Sequence, residues 1–191
     1  MRKNSIHREE IIEATIELSA AVSLENVTTR KIAGELGISE GSIFNYFPSK
    51  SELMLSCFSH VDALAEAAIR ETVLEAKDFF DGFRQLLGTY IDFFVQRPAH
   101  TKFYCQMRYS SYFESPHCLR EAPSFAALRT RMADYDPLLD SDSALSYAIV
   151  EIALGLALQI VCGYVPSAQE AREKTFALLC YGLQGPYGTH L

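Results

Sequence analysis

Residues 28–54 read TTRKIAGELGISEGSIFNYFPSKSELM, and their spacing predicts two short helices joined by a tight turn. Ile32, Ala33 and Leu36 fall on one face of a helix running from Thr29 to Leu36. Gly37 suits the left-handed position that ends a helix, because it has no Cβ to clash there. Ser39 then offers a side-chain oxygen to the orphan N–H groups of a second helix, which buries Ile43 and Phe47 at i, i+4. Gly37-Ile38-Ser39 is thus a bend, an apolar plug and a cap.

Upstream, Ile11, Ala14, Thr15, Leu18 and Val22 define one face of a preceding helix. Three short helices in the first fifty residues match the tri-helical form of the helix-turn-helix, whose last helix enters the major groove of DNA. That helix must let the backbone approach the duplex, and Ser39, Glu40, Gly41 and Ser42 at its start meet the demand. Downstream, Pro48 interrupts the chain and Ser49-x-x-Glu52 has the spacing of a capping box. The helix it opens runs to about Glu75 along Leu53, Leu55, Phe58, Val61, Leu64, Ala65 and Ala68, long enough to connect two bodies.

The period stays helical to the end of the chain. Phe79, Phe83, Leu86, Leu87, Tyr90 and Phe94 mark one helix, ended by Pro98, and Phe103, Met107 and Ser110 another. Loops are expected at 115–123 and 134–142, followed by helices from about Ser143 to Cys162 and from a Ser167-x-x-Glu170 cap to near Gly182. No stretch alternates as a strand would, so the fold class is all-α. Residues 143–165 are apolar, but Ser146, Glu151 and Gln159 interrupt them and no cationic flanks accompany them, which predicts a buried helix rather than a membrane span.

Composition narrows the function classes. The N-terminus MRKNSIHREE carries charges where a signal peptide needs an apolar run, so a cytoplasmic location is expected. Five cysteines without a CxxC pair read as free thiols. The net charge of −7 does not favour nucleic acid, and residues 1–60 are no exception, with six Lys/Arg against eight Asp/Glu. DNA binding therefore has to rest on where a few cations and backbone N–H groups point. The chain holds no GxSxG, HExxH, P-loop or dinucleotide fingerprint, and the histidines (7, 60, 100, 117 and 190) have no spaced partner. His117-Cys118 with Cys105 is the faintest hint of a metal. No catalytic residue, cofactor or metal is expected, and no enzyme.

The segment 28–54 resembles the DNA-binding signature of the TetR family of transcriptional regulators, from Thr-Thr-x-x-Ile-Ala through the Gly-hydrophobic-Ser turn to Tyr-Phe-x-Ser-Lys-x-x-Leu, and with the preceding helix the likeness covers about residues 8–58. It implies a helix-turn-helix DNA-binding domain over 1–50, then an effector-binding and dimerisation domain over 51–191. It further implies that Thr28 and Thr29 bind phosphate, that Arg30 reads guanine, and that Glu40, Gly41, Ser42 and Phe44 face base edges beside the Ser39 cap. Asn45 and Tyr46 then contact backbone or sugar. Lys50 sits in a first helical turn, where the macrodipole disfavours a cation unless a phosphate binds there. Glu40 reads equally as a solvated helix-start acid, and Arg30 as the partner of a neighbouring acid.

The resemblance also implies a homodimer through the last two helices (about 143–183) on a near-palindromic operator of double-stranded DNA, and repression relieved by a small-molecule effector. Tyr90, Phe94, Phe103, Gln106, Met107, Tyr109, Tyr112 and Glu151 are the candidate pocket residues, although aromatic stripes at helical spacing are commonly core. The alternative is a regulator of the same fold switched by cysteine oxidation or by a protein partner.

Overall fold

The computed structural model describes residues 6–73, 75–113, 122–133, 143–165 and 168–183, and every regular element among them is helical. In chain order these are α1 (Arg8–Val22), α2 (Thr29–Glu35), α3 (Glu40–Phe44), α4 (Lys50–Glu71), α5 (Phe79–Val95), α6 (Pro98–Arg108), α7 (Pro123–Ala133), α8 (Ser143–Val161) and α9 (Ala168–Leu183). A 3-10 turn at Leu24–Asn26 joins α1 to α2. The expected loop over 134–142, most of that over 115–123 (with His117 and Cys118), the Ser167 cap and His190 lie outside the described residues. Among the described residues no helix is long and apolar enough to cross a membrane.

The chain divides into two compact units, Met1–Asp62 with Ala99–Pro116 and Ala63–Pro98 with His117–Leu191. The sequence division at residue 50 differs from this one for a physical reason. The Phe58 ring stacks on Tyr104 at 4.6 Å between centroids, and the Tyr104 hydroxyl donates to buried Asp62 at 2.8 Å. The Gln106 amide oxygen accepts from the Leu24 N–H at 2.8 Å. These contacts gather α6 and the first turns of α4 into the unit that holds α1, α2 and α3.

Within that unit the core is aliphatic and aromatic, with Ile11, Ile16, Ile32, Ile43, Phe47 and Phe103 all essentially inaccessible. The polar residues on the inner face of α1 are satisfied locally. Thr15 donates to the Ile11 carbonyl at 2.7 Å and Ser19 to the Thr15 carbonyl at 2.6 Å, so neither hydroxyl is left dry. Helix α1 ends at Ser23, whose backbone takes φ 70° and ψ 153°. That region is favoured by glycine and strained for serine.

In the second unit, α8 lies against α5. Ile149, Ala153 and Ala157 recur at i, i+4, i+8 and are buried, as are Tyr90 and Phe94 on α5. Ion pairs Arg84–Glu173 (2.7 Å) and Arg172–Asp92 (2.5 Å) join α5 to α9. Helix α4 stops at Glu71, a turn short of the expected Glu75. The Arg131 guanidinium on α7 takes the terminal carbonyls, donating to Ile69 at 3.1 Å and Thr72 at 3.0 Å. With those orphan acceptors satisfied, the chain is free to leave the helix there.

Candidate nucleic-acid interface

Local chemistry sets the three-helix head. Thr28 caps α2, its hydroxyl oxygen accepting from the Lys31 N–H at 3.2 Å. Gly37 follows α2 at φ 64°, the left-handed conformation its lack of a Cβ permits. Ser39 caps α3, accepting from the Ser42 N–H at 3.3 Å, and the two serine hydroxyls lie 2.8 Å apart. Ser49 accepts from the Glu52 N–H at 3.1 Å at the start of α4, the half of the sequence-predicted box that anchors Lys50 in the first turn.

Burial sorts α3 into two faces. Ile43 and, just beyond the helix, Phe47 are 1% and 2% exposed and hold the helix to the head. Phe44 and Tyr46 are 47% and 41% exposed, and Glu40, Gly41 and Asn45 are exposed with them. A Cβ built on Gly41 would meet only the Ser39 hydroxyl, at an ordinary 3.9 Å. Nothing inside the fold therefore requires glycine there, and its effect is to keep the outer surface of α3 low. Arg30 is exposed on α2, and Thr29 is half-buried.

Two polar contacts within the head were not legible in the sequence. The Thr29 hydroxyl donates to the Glu40 carboxylate, tying the start of α2 to the start of α3. The Tyr46 hydroxyl donates to the Ile6 carbonyl at 2.6 Å, tying the end of α3 to the residues before α1. Helical periodicity carries no signal for either, since each joins faces whose register the turn geometry sets. Lys31 is occupied by the Asn26 carbonyl at 2.8 Å, and Arg8 lies over the Phe47 ring at 4.8 Å.

The eight candidate pocket residues do not fall in one place. Tyr90, Phe94 and Glu151 belong to the second unit, where Tyr90 and Phe94 pack edge to face at 5.0 Å as core. Phe103 and Met107 are fully buried core of the first unit. Gln106, Tyr109 and Tyr112 do converge, lining an open hollow of 760 Å³ in the first unit with Ser23, Leu24, Glu25, Lys50, Ser110 and Ser111. Of the cysteines, Cys57 is buried and Cys162 is exposed. Burial pushes the Cys57 thiol far above its ordinary range, and its S–H points at the Ile12 carbonyl, 3.7 Å away.

Residues 11–57 match the family model of bacterial regulatory proteins of the tetR family. Among curated proteins, the nucleoid occlusion factor SlmA of Vibrio vulnificus is 29% identical over 101 residues, 52% of each chain. That of Haemophilus influenzae is 25% identical over 96 residues. The chain thus spans about half the length of the curated relatives it matches. Among solved structures, a TetR-like regulator from Rhodococcus superposes with a TM-score of 0.71 at 17% identity, covering 93% of this chain and 96% of that one. A TetR family regulator from Marinobacter aquaeolei does so at 0.69 and 20%, covering 90% and 92%. At those identities the likeness extends the shared fold over nearly the whole length and no further. On its helix-turn-helix and the match over residues 11–57, the N-terminal head is a DNA-binding domain of the type found in bacterial regulatory proteins of the tetR family, carried on an all-helical fold that solved TetR-family regulators share.

Proposed function

We propose that this regulator is a cytoplasmic homodimer that represses by binding a near-palindromic operator and is released from it by a small molecule. The observation that carries DNA reading is the outer surface of α3. Gly41, Phe44 and Asn45 are exposed there on a helix whose opposite face, Ile43, is fully buried. An exposed aromatic beside an exposed glycine with no packing reason fits a helix whose partner is the floor of a major groove. Thr28, Thr29 and Lys50 meet phosphates, Arg30 reads a guanine, and Ser39 and Ser42 hold the helix start. Asn45 and Tyr46 contact the sugar-phosphate backbone.

Dimerisation through α8 and α9 is supported by Ile152 and Leu178, large apolar side chains that are 40% and 67% exposed on those two helices. The effector seat best supported is the hollow at Gln106, Tyr109 and Tyr112. Its serine and tyrosine hydroxyls and the Gln106 amide suit a polar ligand that exchanges hydrogen bonds with them, and its volume lies within the range of small-molecule sites. The protein acts by binding, not by turnover.

Selection of random duplexes by the purified protein tests the reading, with Arg30→Ala and Lys50→Ala alongside. A palindromic consensus is expected, relaxed at one position by Arg30→Ala and weakened evenly by Lys50→Ala. Absence of enrichment at low salt would overturn it.

A further inference from the structure

Glu13 on α1, His60 on α4 and His100 on α6 are remote in sequence and converge within the first compact unit. His60 Nε2 lies 2.8 Å from Glu13 Oε1, and His100 Nε2 lies 3.4 Å from Glu13 Oε2. One donor atom from each residue falls within 4.8 Å of the other two. The imidazole rings are 6.5 Å apart between centroids and tilted by 42°, so the two histidines are not stacked on each other; both aim at the same carboxylate. All three residues are half-buried, His100 most deeply. The histidines that show no spaced partner along the chain are thus brought together by the fold.

We propose that this triad binds one divalent transition-metal ion of the zinc class. Two imidazoles and one carboxylate are a borderline donor set. Calcium and magnesium favour oxygen ligands alone, and copper(I) favours sulfur. Bonds of about 2.0–2.1 Å to a tetrahedral ion place neighbouring donors roughly 3.3 Å apart. The histidines approach the two different oxygens of Glu13, and one donor from each residue lies within 4.8 Å of the others, so side-chain rotation has to draw the three donors together onto the ion. A shallow hollow bounded by Arg8, Glu52, Leu55, Ser56, Ser59 and His60 opens beside one of the three ligands, and water completes the coordination. The three ligands come from three helices, so the ion cross-links the first helix of the DNA-binding head to α4 and α6. Binding to the folded chain alone then adds to its stability by mass action. The proposal does not depend on operator choice or effector.

The test is a titration of the full-length, chelator-treated protein with Co²⁺ and Zn²⁺, read by visible absorption, calorimetry and thermal melting. One equivalent is expected to bind and to raise the melting temperature. His60→Gln and His100→Gln should each weaken binding at least ~10-fold and abolish that rise, while Cys162→Ser leaves both intact. Circular dichroism checks that the variants keep their helicity. Should they fail to fold, ¹⁵N signals of the histidine rings in the wild-type protein decide, with His60 and His100 shifting on Zn²⁺ and His7 not. No binding, binding undiminished in both histidine variants, loss of binding on Cys162→Ser, or unmoved His60 and His100 signals would each overturn the proposal.

Discussion

The hydroxyl of Thr29, in the first turn of α2, donates to the carboxylate of Glu40, in the first turn of α3. The bond joins two residues that the TetR resemblance assigns to DNA, one to phosphate and one to a base edge. In the head they are each other's partner, so under the proposed reading DNA contact would exchange that bond for contacts with the duplex.

Glu40 also places an exposed negative charge on the surface that the proposed reading turns towards the polyanionic duplex. Glu40→Gln is expected to raise affinity for random, non-operator duplex by up to ~1 kcal/mol at low salt, an exposed charge being worth no more than that. The gain should shrink as salt is added. Fluorescence anisotropy across a salt series reads it, and an unchanged affinity at every salt would place Glu40 away from the duplex.

The two faces of α3 should respond oppositely to mutation. Ile43→Ala empties a site that is 1% exposed and is expected to cost about 2–5 kcal/mol of stability. Phe44→Ala, at 47% exposure, should leave stability within about 0.5 kcal/mol while weakening operator binding by about 1–3 kcal/mol. Gly41→Ala is the sharper case. The fold has room for the methyl, so the head should gain about 0.5–1 kcal/mol in urea melts while operator affinity falls.

Ser23 holds a backbone conformation at φ 70° and ψ 153° that glycine adopts freely. Ser23→Gly is therefore expected to stabilise the protein by about 1 kcal/mol. Loss of the exposed contact from Asn26 Nδ2 to Ser23 Oγ, at 3.1 Å, offsets only a small part. Equilibrium urea denaturation, with the midpoint rising at unchanged slope, is the check.

Gln106 serves α6 and the turn after α1 at once. Gln106→Leu removes the acceptor of the Leu24 N–H and should cost about 1–2 kcal/mol, whereas Gln106→Glu keeps an acceptor there and should cost less. Amide exchange at Leu24 should speed up in the leucine variant and stay slow in the glutamate one.

Burial holds the Cys57 thiol neutral well above its ordinary pKa of 9.0. The unfolded chain loses that proton as pH passes 9 while the folded chain keeps it, so the unfolded state binds fewer protons and stability falls with rising pH above 9. Cys57→Ala should flatten that decline. In native protein at neutral pH a maleimide should modify exposed Cys162 and spare Cys57, as peptide mass spectrometry would show.

The head was legible in the sequence because its determinants are local. A cap, an i, i+4 apolar pair and a glycine that must adopt positive φ act within a few residues, and Ser39, Ile43, Phe47 and Gly37 all take the positions their spacing predicts. The helical period of Phe83, Tyr90 and Phe94 likewise predicted α5 and its buried face. Periodicity says that a face is covered and not by what, so it could not separate a core aromatic from a pocket aromatic. Tyr90 and Phe103 read alike along the chain, yet they are core of different units, while Tyr109 is largely exposed.

What only the tertiary structure decided is which remote residues meet. Gln106 reaches back to Leu24, Tyr104 to Asp62, and His100 with His60 to Glu13, because α6 packs beside α1 and the start of α4. Nothing in the spacing of those residues encodes the meeting. It follows from burial of the apolar faces that drive the helices together, and the polar side chains are carried to their partners by that packing.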